Sequence, residues 1–109
     1  MPVTPKEILI YETEDGRAPF SEWMGRQSKQ VYGTVMTRLE RVEMGNFGDH
    51  RSVGDGVLEL RIDAGPGYRV YFGKDGERLV ILLGGGTKKR QQHDINVALA
   101  NWQDYKRRK

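Results

Sequence analysis

Between Val57 and Leu83 the chain alternates as strands do. Leu58, Leu60 and Ile62 interleave with Glu59, Arg61 and Asp63. After the linker Ala64-Gly65-Pro66-Gly67, Tyr68, Val70 and Phe72 interleave with Arg69 and Tyr71. A period of two sends successive side chains to opposite faces. The two segments therefore predict a hairpin with Glu59, Arg61, Arg69 and Tyr71 on one face. Lys74-Asp75-Gly76 predicts a second turn. Leu79 to Leu83 is an unbroken apolar run, which suits a strand buried on both faces inside a sheet.

Upstream, the pattern is mostly helical. Ile8 to Tyr11 predicts a short edge strand, and Glu14-Asp15-Gly16 a turn. Pro19-Phe20-Ser21 opens a helix, with Ser21 as the expected N-cap, Glu22 in the first turn, and Phe20, Trp23 and Met24 on one side. Ser28 predicts the cap of a second helix. In it Val31, Val35, Leu39 and Val42 recur at the helical period, opposite Lys29, Thr37 and Arg41. Gly45 lies just past the last periodic residue and marks the stop. Arg51 to Val53 predicts a short strand before the turn Gly54-Asp55-Gly56. Asp94 to Tyr105 predicts a closing helix, with Ile95, Leu99 and Trp102 stacked. The expected fold class is α+β: two N-terminal helices packed on a twisted antiparallel sheet, then a closing C-terminal helix, as one domain over residues 1–109.

Composition narrows the class. The chain has 109 residues and no cysteine, so disulfide staples and thiolate metal sites are excluded. No apolar run approaches the roughly 18 residues that span a bilayer. The segment MPVTPKEILIYE lacks the basic and apolar regions of a signal peptide. The expectation is a soluble, cytoplasmic protein with no membrane partner. Net charge is only +3, from 18 cations and 15 anions, but the cations cluster. Lys88, Lys89 and Arg90 are adjacent, and Lys106 to Lys109 forms a basic tail. Clustered positive charge suits phosphate, although the tail alone reads as solvated.

Several chemistries drop out. Two histidines, His50 and His93, show no metal-ligand spacing, so no metal site is expected. GGGTKK lacks the spacing of a P-loop, and there is no nucleophile elbow. What remains is basic and aromatic. Arg61 and Arg69, on adjacent strands of one face with Tyr71 and Glu59, could surround a phosphate. Equally, Arg61 could pair with Glu59 or Asp63 and only solubilise an open sheet face. The cations Lys88, Lys89 and Arg90 tilt the balance. At a helix start they oppose the dipole, at a cost of about 0.3–1 kcal/mol each, unless an anion joins them. Helical geometry leans Lys88 and Gln91 toward the sheet and puts Lys89, Arg90 and His93 at the flanks. His93 reads as a surface histidine, and His50 sits in a loop that could reach the site.

The order ELRI, GPGYRVYF, VILLGGGTKKRQQHDI and a helix bearing Trp102 closely resembles the RelE/ParE toxin superfamily. Within it the chain is most similar to HigB-like, phage-derived addiction-module killer proteins, over about Tyr11 to Tyr105. PFSEW and the stretch RLERVEMGNFGDHRSVGDGV add to the likeness. The resemblance implies a type II toxin that cleaves messenger RNA in the ribosome, without metal or other cofactor. In that chemistry a 2′-hydroxyl attacks the adjacent phosphate. Carried over by position, Arg69, Arg61, Lys88 and Glu59 are the catalytic candidates. Lys89, Arg90, Tyr71, Gln91, His93 and His50 are the RNA-binding candidates, with Tyr71 or Tyr68 available to stack on a base. The implied partners are mRNA, the ribosome and a helix-turn-helix antitoxin, with operator DNA reached only through the antitoxin complex. Relatives of ParE type instead inhibit DNA gyrase without catalysis. A degenerate member would bind only its antitoxin.

Overall fold

The computed structural model describes residues 5–109; residues 1–4 of the segment read for a signal peptide lie outside the described residues. The elements run β1 (Glu7–Ile10), α1 (Pro19–Gly25), α2 (Lys29–Glu43), β2 (His50–Gly54), β3 (Val57–Ile62), β4 (Tyr68–Asp75), β5 (Leu79–Thr87) and α3 (Gln91–Arg108). A single turn of 3-10 helix, Lys88–Arg90, joins β5 to α3. The five strands form one sheet in the order β1-β5-β4-β3-β2.

Two expectations need correction. The sheet is mixed, not antiparallel, because β1 pairs with β5 in the parallel sense. The helices also follow the first strand instead of opening the fold. Parallel partners need a long crossover, and two helices plus three strands separate β1 from β5. Apolar patterning reports faces, not strand direction, so the sequence was silent on this point. The expected edge position of Ile8 to Tyr11 and the interior position of Leu79 to Leu83 both hold.

The sheet is covered on both faces. One face packs on α1 and α2 through Phe20, Trp23, Met24, Val35, Leu39 and Val42, against Leu60, Val70, Phe72 and Leu82. The other face, which read equally as an open solvated surface or a phosphate site, is covered by α3. Ile95, Ala98 and Trp102 pack there against Val57, Tyr71, Ile81 and Leu83. Gly73 makes the contact possible, since a Cβ there would stand 2.5 Å from the Trp102 ring. On the opposite face Gly85 does the same for Trp23.

Helix ends follow local chemistry. Ser28 caps α2, its side chain accepting from the Val31 amide at 3.2 Å. Gly45 takes a left-handed φ of 90° just past the end of α2. Ser21 is not a cap. Ala18 occupies that position and Ser21 lies inside α1, because Pro19 starts the first helical turn three residues earlier. The closing helix begins at Gln91, earlier than the apolar period alone indicated. Among the described residues no helix is long and apolar enough to cross a membrane.

Candidate functional site

Register places the charged side chains of the α3 face in rungs. Arg61 pairs with Arg69 across β3 and β4, and Glu59 pairs with Tyr71. Arg51 on β2 pairs with Glu59 from the other side. One rung therefore reads Arg51, Glu59, Tyr71, and its neighbour carries Arg61 and Arg69. The next rung, at Val57 and Gly73, is apolar and lies under Trp102.

Glu59 is fully buried. Its carboxylate accepts from Arg51 Nε at 2.9 Å, Gln91 Nε2 at 2.9 Å and Tyr71 Oη at 3.1 Å. Arg69 Nε lies 3.6 Å away. Burial pushes the Glu59 carboxyl upward, but the bonds from Arg51, Gln91 and Tyr71 outweigh it and hold the group below its ordinary value. Tyr71 shows the converse. Burial and the neighbouring Glu59 charge push its phenol well above the usual range.

Above this layer Arg61, Arg69 and Lys88 line a cleft of about 450 Å³ with the linker Gly65-Pro66-Gly67. The Gly67 carbonyl organises it, accepting from both Arg69 Nη1 and the Lys88 amide at 3.0 Å. Gly67 itself has a φ of 80°, and a Cβ there would stand 3.1 Å from Arg69 Nη1. Arg61 contacts Asp49 at 3.4 Å and stays partly exposed. Its carbonyl accepts from Arg38 Nη1 at 2.6 Å, which ties α2 to the end of β3.

The structure thus brings Arg61, Arg69 and Lys88 together on an accessible cleft and sets Glu59 beneath it, out of reach of a ligand. Tyr71 is fully buried, so its ring is not free to stack on a base. Gln91 leans toward the sheet as expected, but its amide is engaged by Glu59. Lys89 is exposed. Arg90 and His93 line a separate cleft of about 360 Å³ between α1 and α3, together with Arg17, Trp23, Arg26 and Asp94. His50 is exposed, with its ring against Phe47 and Nδ1 at 2.8 Å from the Gly48 carbonyl.

Sequence reasoning missed Arg51 and Asp94. Arg51 was hidden because an irregularity between Ser52 and Gly54 shifts the β2–β3 register. Asp94 lies so close to β5 that a Cβ on Gly86 would stand 2.0 Å from its Oδ2. Burial pushes its carboxyl above the ordinary value, with Arg90 and His93 opposing. The run of three glycines was the available signal for such close approaches. Among the described residues no group of histidine, aspartate or glutamate could hold a metal ion.

The chain is 45% identical over 80 residues to an uncharacterised protein of Haemophilus influenzae, covering 72% of this chain and 81% of that one. Residues 22–103, which include α2, all of the sheet except β1, and most of α3, match the family described as "Phage derived protein Gp49-like (DUF891)". The chain therefore belongs to the Gp49-like phage-derived protein family.

Proposed function

We propose that this protein is the toxin of a type II toxin–antitoxin pair and acts as a ribosome-dependent endoribonuclease. The convergence of Arg61, Arg69 and Lys88 on one cleft, with an arginine anchored from below by a buried carboxylate, carries the reading. Membership of a phage-derived family is consistent with an addiction-module role. Attack of a 2′-hydroxyl on the adjacent phosphodiester builds negative charge on the phosphoryl oxygens. Preorganised guanidinium and ammonium groups stabilise that charge as it develops. The 2′-oxygen gives up its proton as the new P–O bond forms, and the departing 5′-oxygen takes one up. Glu59 is too deeply buried to serve in either transfer, so its part is to hold Arg69. A helix-turn-helix antitoxin covering the basic cleft is the partner this reading requires.

Induced expression in a bacterial host tests the reading. Wild type should arrest growth and leave discrete new 5′ ends in transcripts, whereas Arg69→Ala should do neither while remaining folded. Growth arrest with intact transcripts and a DNA-damage response would replace the nuclease reading with gyrase inhibition. A fully toxic Arg69→Ala protein would overturn the site assignment.

A further inference from the structure

Glu59 holds two arginines, not one. Arg51 Nε lies 2.9 Å from Oε1, and Arg69 Nε lies 3.6 Å from Oε2. One carboxylate thus sits between guanidinium groups from β2 and β4. The trio carries one positive charge in excess, and its anion is at the bottom, fully buried. The outward side is cationic. Arg51 stays half exposed, and among the described residues its side chain makes a single hydrogen bond, the one from Nε. Arg69 spends Nη1 on the Gly67 carbonyl, and its Nη2 donates to no other described residue. Tyr71 and Gln91 already give Glu59 two donors, so Arg51 is not needed merely to satisfy it.

We propose that Arg51 is a second phosphate-binding residue of the site, and that Glu59 positions Arg51 and Arg69 for neighbouring phosphates of one strand. The ligand is then an extended single strand with at least two consecutive phosphodiesters, not a lone phosphate or mononucleotide. Arg69 and Lys88 take one phosphate in the cleft, and Arg51 takes the next beside it, toward β2. This rests on the nucleic-acid reading given above. Arginine suits the task because one edge of its planar fork can stay on the carboxylate while the other faces phosphate oxygens.

Binding of a fluorescent 2′-O-methyl RNA oligonucleotide, which resists internal cleavage, tests the proposal across a salt series. For a single strand, each phosphate that the protein ceases to neutralise should lower the slope of log K against log salt by about 0.7. Arg51→Ala should weaken binding and lower the slope by about that amount, as should Arg69→Ala. The double variant should lower it by about twice as much, because the two residues hold different phosphates. Glu59→Gln separates positioning from charge. Removing a carboxylate should tighten RNA binding by simple attraction, whereas loss of positioning weakens it, and we expect weakening. The half-exposed Arg51 variant should fold even if the Glu59 variant does not, so it decides the matter. If wild type binds RNA and Arg51→Ala matches it in affinity and slope, this inference falls and the nucleic-acid reading stands. A double variant with the slope of either single variant would show one shared phosphate and would also overturn the proposal. If wild type binds no RNA at any salt, this inference falls, while the nuclease reading is decided by growth arrest and new 5′ ends on induction.

Discussion

Arg69 points its Nε toward Glu59 Oε2 from 3.6 Å, and that buried nitrogen has no hydrogen-bond partner among the described residues. A buried donor left unpaired costs about 1–3 kcal/mol. Arg69 is therefore an expensive residue for stability alone. Glu59, by contrast, keeps Arg51, Tyr71 and Gln91 if Arg69 is removed. Arg69→Met should leave stability within about 1.5 kcal/mol of wild type, since it nearly preserves volume and removes an unpaired donor. The same variant should lose growth arrest. Urea denaturation beside an induction assay measures both, and a loss above about 3 kcal/mol, the upper end for an unpaired buried group, would mark Arg69 as a structural residue.

Glu59 should behave in the opposite way. Its carboxyl is depressed in the folded protein, so its stabilising contribution is present above the unfolded value, about 4.3. That contribution is lost as pH falls through the lower folded value. Glu59→Gln should cost about 3–5 kcal/mol at neutral pH, because it leaves the buried Arg69 guanidinium without its anion, whereas the half-exposed Arg51 stays solvated. The gap between wild type and variant should narrow below about pH 4. Denaturant midpoints measured from about pH 7 down to about pH 3 give the comparison; a constant gap would show that Glu59 is not ionised in the fold.

Both layers of this core were half legible. The alternation of Leu58 to Asp63 and of Tyr68 to Phe72 assigned Glu59, Arg61, Arg69 and Tyr71 to one face, and the observed register keeps them there. Alternation could not say what covers that face. Charged positions suited solvent or a bound phosphate equally, yet Glu59 is buried because three donors from β2, β4 and α3 converge on it. Those donors are far apart in sequence, so their meeting depends on strand order and not on local pattern. The basic run Lys88 to Arg90 was visible, but a 3-10 turn directs Lys88 to one cleft and Arg90 to another. Direction of β1 was invisible for the same reason as strand order.

Ser28 and Ser21 make a controlled pair for the helix caps. Ser28 accepts from the Val31 amide, while Ser21 sits exposed inside α1. Ser28→Ala should cost about 1 kcal/mol by thermal or chemical denaturation. Ser21→Ala should be neutral or slightly stabilising, because alanine is the better helix former. Equal losses at both sites would contradict the capping assignment.

Gly73 and Trp102 should be coupled. A methyl at Gly73 would meet ring atoms at 2.5 Å, within a β4 segment paired on both sides. Gly73→Ala should therefore destabilise by about 1–3 kcal/mol through overpacking. Trp102→Leu should cost at least as much, because it opens a cavity in the core beneath α3. Combined, the two should cost less than their sum, since the smaller side chain gives the methyl room. A double-mutant cycle in urea measures the coupling, and strict additivity would place the clash elsewhere.

Asp104 ties the far end of α3 to Tyr11, the residue just past β1. Its carboxylate accepts from Tyr11 Oη at 2.6 Å and from Arg108 Nη2 at 2.7 Å, with Arg107 Nη2 at 2.9 Å on the other oxygen. The hydrogen bond from Arg108, then that from Tyr11, holds its pKa at about 2, below the ordinary 3.8. A depressed carboxyl stabilises the fold above its unfolded value and loses that effect as pH falls through the folded one. The contact between α3 and Tyr11 should therefore weaken between about pH 4 and about pH 2. Carbon-detected NMR titration of the Asp104 carboxyl should show a midpoint near 2, rising in Arg108→Ala and, by less, in Tyr11→Phe. Added salt should raise it by screening the arginines, whereas the tyrosine bond should persist. If the midpoint stays near the ordinary 3.8, the cluster does not hold this helix to Tyr11 in solution. The docking of α3 would then rest on the apolar contacts of Ile95, Ala98 and Trp102 and on the bonds from Gln91, Asn101 and Tyr105.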